Sequence, residues 1–406
     1  MTDAKRDVVL LFATRFARMF GYGLVSIILV LYLTGVVGLD EKTSGLLMSL
    51  TLGGDILISL WMTTRADRIG RRKMLFAGAV LMMLAGLVFV STNFFPLLVI
   101  AAVIGVISPS GNEIGPFLAI EQAAISQEVT GSQRTNLFAY YNLMGSFATA
   151  LGAWTAGHAI EWSERSGFSE AHADRGILLA YAGIGLLLAV AFARLSPGVE
   201  PATPQVDRPS AFLGLHKSRG VVFKLSSLFA VDAFAGGFVL QTFVAYWFTV
   251  RWGANPASLG TIFFWANLLS GLSGLVAARL ADRIGLINTM VFTHIPSNIL
   301  LMLVPVMPSF GWAIGVLLAR FSISQMDVPV RQSFLAAVVA ADERSAAAGV
   351  ANIFRSCGAM LSPYLAGILF ASQATLSVPF FLAGGLKIAY DLVLLVLFRN
   401  ATAGDE

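Results

Sequence analysis

Twelve long apolar stretches, separated by polar segments, constrain this chain more than any other feature of its sequence. A helix that crosses a bilayer needs about 20 mostly apolar residues, because hydrocarbon offers no water to its backbone. We therefore predict an all-α integral membrane protein with twelve transmembrane helices. The predicted spans are approximately 8–36, 44–62, 74–92, 96–126, 135–160, 177–195, 221–248, 257–279, 286–305, 310–340, 345–371 and 377–398.

The composition excludes a soluble protein. Hydrophobic residues make up 57% of the 406 residues and charged residues only 12%, whereas a soluble domain carries about a quarter charged residues. One cysteine and four histidines provide no disulfide framework, no zinc spacing and no catalytic triad. The chain also has no GxxxxGK[ST] phosphate-binding loop. We expect no enzyme activity, no cofactor, no bound metal and no nucleic-acid partner.

The distribution of basic residues predicts the orientation in the membrane. With both termini placed in the cytoplasm, 17 Lys and Arg residues lie in inner segments and 4 in outer segments, and the other 6 of 27 lie within spans. Cytoplasmic loops carry the excess of Lys and Arg in membrane proteins. The chain is therefore predicted to be a multi-pass protein of the inner or plasma membrane, with both termini in the cytoplasm.

The two halves of the chain resemble each other. A polar linker with four prolines at 197, 201, 204 and 209 separates the first six spans from the last six. The sequence ADRIG at 66–70 recurs at 281–285, and residues 142–157 match residues 352–367. We predict two pseudo-symmetric six-helix bundles, at 1–195 and 221–406, joined by a cytoplasmic linker at 196–220.

The run TTRADRIGRRK at 63–73 resembles the signature loop of the major facilitator superfamily, as do the twelve spans and the central linker. The resemblance implies a secondary transporter that works by alternating access, and it makes the loop and its repeat a conformational latch. The latch residues implied in this sequence are Asp67, Arg68, Gly70, Arg71, Arg72, Asp282, Arg283 and Gly285.

Charged residues within the spans are functional candidates, because an ionisable group at membrane depth costs several kcal/mol unless it is paired or faces water. Six acids and six bases lie there, so pairing can leave the interior neutral. The acids are Asp55, Glu113, Glu121, Asp232, Asp327 and Asp391, and the bases are Arg15, Arg18, Arg320, Arg331, Arg355 and Lys387.

Four of these acids are proton-coupling candidates. Asp232 is preferred because its own helix carries no obvious basic neighbour, and a static salt bridge to Arg15, Arg18 or Arg331 is the alternative. The other three are Glu113, Glu121 and Asp327, and the last is placed for an (i, i+4) pair with Arg331. Arg355 and Asp391 are predicted to be structural charges of the second bundle.

A substrate cavity is predicted around the proline break at 108–111, since a broken helix frees backbone carbonyls near mid-membrane. Arg15 and Arg18, three residues apart on one helix face, could hold an anion together or pair with acids on a neighbouring helix. The predicted cavity residues are Arg15, Arg18, Asn112, Tyr141, Asn142, Gln241, Arg320, Gln325 and Arg331.

These observations predict proton-coupled efflux of small organic molecules. The choice of efflux follows from the family resemblance, and the arginines of the presumed cavity leave a carrier for a small anion as the alternative. A divalent-metal exporter and a non-transporting sensor are further alternatives. The expected partners are a small-molecule substrate, protons and the lipid bilayer, and the expected oligomeric state is a monomer.

Overall fold

The protein is described by a computed structural model over residues 3–113, 115–128, 132–200, 215–340 and 343–398, and these residues include helices but no strand. The first seven helices are α1 (Asp3–Gly35), α2 (Glu41–Ile69), α3 (Arg71–Ser91), α4 (Phe95–Ile104), α5 (Phe117–Glu128), α6 (Ser132–Arg165) and α7 (Glu170–Ala193). The next eight are α8 (Arg219–Gly237), α9 (Gln241–Trp252), α10 (Pro256–Ile284), α11 (Leu286–Leu303), α12 (Phe310–Phe321), α13 (Asp327–Ala337), α14 (Arg344–Phe370) and α15 (Val378–Phe398). Short 3₁₀ turns follow α7 at Pro197–Val199 and α11 at Val304–Val306.

Helices cover all twelve predicted spans. Within the described ranges, nine helical segments are long and apolar enough to cross a bilayer, and Phe95–Ile104 and Phe310–Phe321 are shorter apolar helices. Large apolar side chains such as Leu57, Phe94 and Val396 are exposed, as expected of helices that face lipid. The twelve-helix prediction is therefore confirmed, with three of the spans interrupted.

The three interruptions fall in the fourth, seventh and tenth predicted spans. In the fourth, the described residues 105–113 and 115–116 lie between α4 and α5, so the break is longer than the predicted one at 108–111. In the seventh, residues 238–240 separate α8 from α9, and in the tenth, residues 322–326 separate α12 from α13. Each break places irregular backbone within a stretch that would otherwise be one helix, which is tolerated only where protein or a cavity surrounds it.

The chain divides into two compact units. Unit 1 comprises Met1–Val206 and Gln241–Phe264, and unit 2 comprises Asp207–Leu240 and Trp265–Glu406. This division differs from the predicted boundaries, because α9 packs against α1 rather than with the second half. Thr242 Oγ1 accepts a hydrogen bond from the Val30 N–H (2.9 Å), and the Gln241 amide donates to Ser26 Oγ (2.7 Å). Most of the predicted linker, residues 201–214, lies outside the described residues.

Glycines let helix backbones approach closely within unit 1. A Cβ on Gly23 of α1 would overlap the carbonyl oxygen of Thr149 in α6, and a Cβ on Gly152 would overlap that of Phe20. In α7, a Cβ on Gly185 would come within 2.6 Å of the Met83 nitrogen of α3. The α1–α6 and α3–α7 pairs therefore form the frame of this unit, as small residues do in membrane helices.

Unit 2 uses the corresponding helix pairs. A Cβ on Gly237 of α8 would overlap Ser362 Oγ of α14, and a Cβ on Gly358 of α14 would overlap the carbonyl oxygen of Ala230. In α15, a Cβ on Gly384 would approach the Asn298 carbonyl of α11 to 2.9 Å. The α8–α14 and α11–α15 pairs repeat the α1–α6 and α3–α7 pairs, so the internal repeat seen in the sequence extends to helix packing.

A carboxylate from a distant segment holds the backbone that leads into α8. Glu343, which precedes α14, accepts hydrogen bonds from the backbone N–H groups of His216, Lys217 (2.6 Å) and Ser218 (2.8 Å). Burial acts to raise the pKa of Glu343, but these three backbone donors outweigh it and hold the pKa at about 2. Glu343 thereby fixes the segment that precedes α8, and its negative charge lies beside a helix start, where a negative charge is favoured.

Candidate functional site

Arg18 is the centre of a buried ion-pair cluster in unit 1. Its side chain is fully buried on α1. It donates from Nη1 and Nη2 to the two carboxylate oxygens of Glu121 (2.8 and 2.7 Å), and from Nε to Glu113 Oε1 (2.9 Å). Such bidentate pairs are the strong form of the arginine–carboxylate bond. We call Arg15, Arg18, Glu113, Glu121 and Tyr141 the Arg18 cluster.

Arg15 binds the second carboxylate oxygen of Glu113. Its Nη1 donates to Glu113 Oε2 at 2.7 Å, its Nε donates to the Tyr141 carbonyl at 2.9 Å, and its Nη2 donates to Asn142 Oδ1 at 3.2 Å. The Tyr141 ring lies 4.2 Å from the guanidinium carbon. The predicted pairing of Arg15 and Arg18 with acids of a neighbouring helix is therefore what the structure contains.

The two acids of this cluster differ in accessibility. Glu121 is fully buried and also accepts hydrogen bonds from the Tyr141 hydroxyl and from Thr14 Oγ1 (3.4 Å). Glu113 is shared by two arginines, and its side chain remains 10% exposed. Glu113 is therefore the acid that solvent, a proton or a small molecule can reach with the smaller rearrangement.

Side chains stabilise the backbone of the helix break that carries Glu113. Val106 has a φ of 53°, which is unfavourable for a β-branched residue, and its carbonyl accepts a hydrogen bond from the Tyr181 hydroxyl at 2.7 Å. Ser108 Oγ donates to the Asn112 carbonyl (2.8 Å), and Thr149 Oγ1 donates to the Gly111 carbonyl (3.2 Å). These bonds occupy carbonyls that the broken helix leaves free.

Asp232 is the centre of the corresponding cluster in unit 2. Its Oδ1 accepts from Lys387 Nζ at 2.5 Å, and its Oδ2 accepts from Arg331 at 3.1 Å and from Arg355 at 3.3 Å. Arg331 also donates to Asp327 at 3.0 Å, which is the predicted (i, i+4) pair. We call Asp232, Asp327, Arg331, Arg355 and Lys387 the Asp232 cluster.

The two clusters occupy equivalent positions with opposite charge. Arg18 lies five residues before Gly23, where α1 crosses α6, and Asp232 lies five residues before Gly237, where α8 crosses α14. In unit 1 a central arginine is surrounded by acids, whereas in unit 2 a central acid is surrounded by bases. Arg355, predicted to be only a structural charge, contacts the central acid.

A buried histidine–aspartate pair adjoins the Asp232 cluster. His294 Nδ1 lies 2.9 and 3.0 Å from the two oxygens of Asp391, and its Nε2 lies 3.8 Å from Asp232 Oδ1. Asn298, one turn after His294, donates to Asp391 at 3.4 Å. The pair therefore connects α11 and α15 to the central acid on α8.

The other predicted cavity residues lie apart from the ion pairs of the clusters. Asn112 is exposed in the break of unit 1, and Gln241 is buried against Ser26. Arg320 and Gln325 are partly buried, at the end of α12 and in the turn that follows it. Arg320 Nε has no hydrogen-bond partner among the described residues, and its guanidinium carbon lies 4.9 Å from the centre of the Phe321 ring.

The predicted latch loop forms a network in unit 1. Gly70 has a φ of 116° between α2 and α3, and Arg71 Nε donates to Asp67 at 2.7 Å. The Glu200 carboxylate accepts from the backbone N–H groups of Arg71 (2.6 Å) and Arg72 (3.3 Å). Arg68 is exposed, as are Asp282, Arg283 and Gly285 in the repeat, where Gly285 has a φ of 86°.

Sequence reasoning did not select His294, Asp391 or Lys387 as site residues. Lys387 and Asp391 lie four residues apart on α15, as do His294 and Asn298 on α11. The (i, i+4) spacing places each pair on one helix face, and two such polar pairs in apolar helices were the available signal. The contacts across helices, over about 90 residues of sequence, gave no such signal.

Comparisons with known proteins agree with the fold. A sequence model of the Major Facilitator Superfamily matches residues 11–325. The chain is 30% identical to an uncharacterized membrane protein of Saccharomyces cerevisiae over 98% of this chain and 96% of that protein. It is 22% identical to the quinolone resistance protein NorA of Staphylococcus aureus over 96% of each chain.

Solved structures show the same architecture. A crystal structure of the nucleoside transporter NupG matches 96% of this chain and 99% of its own, with a TM-score of 0.76 and 15% identity. The D-xylose–proton symporter matches 95% of this chain and 96% of its own, with a TM-score of 0.73 and 15% identity. At this level of identity the likeness concerns the fold.

Proposed function

The chain belongs to the major facilitator superfamily, and from this premise we propose that it is a proton-coupled secondary transporter that exports small organic molecules by alternating access. Members of this transporter family bind small-molecule substrates within the membrane, and the multi-pass helical fold of the chain is theirs. Export is supported by the similarity to a quinolone resistance protein, which extends over 96% of the chain.

The arrangement of Glu113 between two arginines carries the proposal of proton coupling. A buried ion pair is stable only while both charges are present, because each partner has lost its hydration. A proton on Glu113 would remove the acid partner of Arg15, while Arg18 would keep Glu121. We propose that the substrate acts on the same guanidinium groups, because such a shared dependence is the condition for coupling the movements of proton and substrate.

The geometry ranks the four predicted proton-coupling acids. Asp232 contacts three cations and Asp327 contacts Arg331, so both acids are held by ion pairs within the Asp232 cluster. Glu121 is fully buried and bound by two nitrogens of Arg18. Glu113 combines partial exposure with shared partners, and we therefore place the coupling proton of unit 1 on Glu113.

The experiment uses the purified protein in liposomes with a pH-sensitive dye inside and norfloxacin as the transported probe. We expect norfloxacin to move against a proton gradient, with protons moving in the opposite direction. The Glu113→Gln variant should lose this coupling at least tenfold. The matched control Glu170→Gln, at an exposed position of α7, should keep it. Norfloxacin movement that persists after the gradient is collapsed would contradict the proposal.

A carrier for a small anion is the second candidate, and Arg320 is the observation that favours it. Its Nε is buried without a hydrogen-bond partner among the described residues, and guanidinium suits carboxylate or phosphate. If benzoate or phosphate, but not norfloxacin, moves protons in the same liposomes, this candidate replaces export of organic molecules. The described ranges contain no group of three or more metal-binding side chains that would favour a metal exporter.

We further propose that the protein resides as a monomer in the cell membrane, with both termini in the cytoplasm. The excess of basic residues in the predicted inner segments supports this orientation. The network of Asp67, Arg71 and Glu200 supports a latch role for the 63–73 loop, since it joins the loop to the segment after α7. Labelling of single cysteines placed at residues 42 and 73 from either side of the membrane tests the orientation.

A further inference from the structure

We propose that the His294–Asp391 pair of unit 2 is a second proton-binding site of the transport cycle. This inference rests on the proposed proton coupling and names residues outside the four acids predicted from the sequence. In this cycle, the pair accepts one proton on His294 Nε2 and later releases it. The proton therefore binds at a position that also contacts the central acid of the Asp232 cluster.

The chemistry of the pair distinguishes it from the ion pairs around it. An arginine guanidinium stays charged in proteins, so arginine–carboxylate pairs exchange no proton through the arginine. Histidine is the side chain whose unperturbed charge changes between about pH 5 and 8. His294 is the histidine that lies within a described cluster of buried charges, with a side-chain exposure of 7% beside Asp391 at 1% and Asp232 at 5%.

The orientation of the ring determines which nitrogen takes the proton. With Nδ1–H donating to Asp391, Nε2 of the neutral ring carries a lone pair that faces Asp232 Oδ1 at 3.8 Å. A lone pair facing a carboxylate gains no hydrogen bond. Protonation turns Nε2 into a donor, so the imidazolium lies between two carboxylates, bonded to Asp391 through Nδ1 and 3.8 Å from Asp232 Oδ1 through Nε2. Tyr390 packs edge-on against the ring, with the centroids 6.2 Å apart.

The charges around the His294–Asp391 pair can be counted. The groups brought by the helices near α11 include Asp232 from α8, Arg320 from α12, Asp327 and Arg331 from α13, Arg355 from α14, and Lys387, Tyr390 and Asp391 from α15. Within the Asp232 cluster and the His294–Asp391 pair, three aspartates balance Lys387, Arg331 and Arg355 when His294 is neutral. Arg320 lies outside this group and adds one positive charge from α12. A proton on His294 therefore raises the net charge of this group by one, without breaking an existing arginine pair.

Protonation would be communicated directly to the Asp232 cluster. His294 Nε2 and Lys387 Nζ both face Oδ1 of Asp232, at 3.8 and 2.5 Å. Once Nε2 carries a proton, it competes with Lys387 for this oxygen. The proton thereby weakens the contact between α15 and α8. A conformational change that depends on that contact becomes sensitive to the proton.

Two buried polar atoms near the pair are suited to bind water. Ser297 Oγ and Asn298 Oδ1 have no hydrogen-bond partner among the described residues, although both side chains are almost completely buried. Both residues follow His294 by about one turn of α11. A buried water molecule binds two to four such polar groups, so these two atoms are suited to hold water within about one turn of His294.

The first test measures proton binding directly. ¹⁵N-histidine spectra of the detergent-solubilised protein contain signals from four histidines, and the signals that disappear in His294→Gln identify the ring. We expect the His294 signals to change between pH 5 and 8 and to shift in Asp391→Asn. A ring that keeps one protonation state over this range would overturn the proposal, because the pair would then be a static contact.

The second test separates coupling from transport. In liposomes, gradient-driven accumulation of norfloxacin should be at least tenfold lower in His294→Gln and in Asp391→Asn than in the unaltered protein. The rate of norfloxacin exchange without a gradient should stay within about twofold of the unaltered protein. His158→Gln is the matched control, since His158 stacks on Trp154 in unit 1. Unchanged gradient-driven accumulation in both variants would overturn the proposal.

Two controls keep the outcomes distinct. Size-exclusion profiles and thermal unfolding identify a variant that fails to fold, and the two substitutions alter different helices, so one folded variant suffices. If the unaltered protein moves no norfloxacin in either assay, the proposed export function fails for this probe. The histidine titration then decides the proton-binding pair independently.

Discussion

Replacement of Arg18 by methionine tests whether the Arg18 cluster is held by charge compensation. The substitution keeps an unbranched side chain of similar length and removes three charge-assisted hydrogen bonds of 2.7 to 2.9 Å. It leaves Glu121 fully buried, with only Tyr141 and Thr14 as donors. The result is a buried carboxylate without a counter-charge.

The magnitude follows from these contacts. Bonds to charged groups contribute about 1.5–3 kcal/mol each, so three of them set an upper limit of about 4.5–9 kcal/mol. The desolvation of both ions offsets part of this, and breaking one partner out of a buried pair costs about 3–5 kcal/mol. We expect Arg18→Met to lower the free energy of unfolding by about 3–5 kcal/mol. The double variant Arg18→Met/Glu121→Met should recover at least about 2 kcal/mol of that loss.

The assay is equilibrium unfolding in mixed micelles with increasing dodecyl sulfate, followed by the fluorescence of the seven tryptophans. Arg15→Met is the matched control, because it also removes three hydrogen bonds of a guanidinium but leaves Glu113 bonded to Arg18. We expect a smaller loss than in Arg18→Met, since no carboxylate is left without a cationic partner. If the double variant is as unstable as Arg18→Met alone, the uncompensated charge of Glu121 is not the cause and the reasoning fails.

Three further predictions concern the helix ends and the helix crossings. Below pH 4.5 the contribution of Glu343 to stability should decline towards pH 2, because the pKa of Glu343 in the folded protein lies below its ordinary value. Amide exchange at the start of α8 measures this decline, and the Glu343→Gln variant should not show it. Gly358→Ala should destabilise the protein by about 1–3 kcal/mol through overlap with Ala230. Gly349→Ala on the same helix, with open space around it, should be neutral or stabilising by up to about 1 kcal/mol. Equal effects of the two substitutions on unfolding in micelles would contradict the close crossing of α8 and α14. Glu200→Gln should cost about 0.5–2 kcal/mol by weakening the cap of α3, and unchanged exchange in the first turn of that helix would refute the cap.

Much of the fold could be predicted from the sequence because bilayer thickness fixes the length of an apolar helix. The spans, the proline break and the Asp327–Arg331 pair all depend on residues near one another in the chain. By contrast, α9 belongs with unit 1 because Gln241 and Thr242 bond to α1, more than 200 residues away. Hydropathy is the same on either side of the three-residue break at 238–240, so it could not predict this packing.

The candidate site, like the fold, could be predicted only in part from the sequence. The presence of Arg18 and Asp232 in apolar helices marked them as functional candidates, since isolated charges are costly there. Their partners depend on which faces of distant helices meet. Arg18 and Glu121 are separated by 103 residues, and Asp232 and Lys387 by 155. The predicted spans also contain as many basic as acidic residues, so many different sets of ion pairs would leave the interior neutral.

The balance of charges in the two clusters has a consequence for the electrical behaviour of the protein. The Arg18 cluster contains two guanidinium groups and two carboxylates. The Asp232 cluster, together with an ionised Asp391 and a neutral His294, is balanced as well. A balanced group that is displaced in the membrane field exchanges no energy with it, whereas one extra proton contributes up to about 2.3 kcal/mol per 100 mV. The charges of the two clusters therefore add no voltage dependence to the return of the unprotonated carrier. A membrane potential acts on these clusters only when they carry the extra proton.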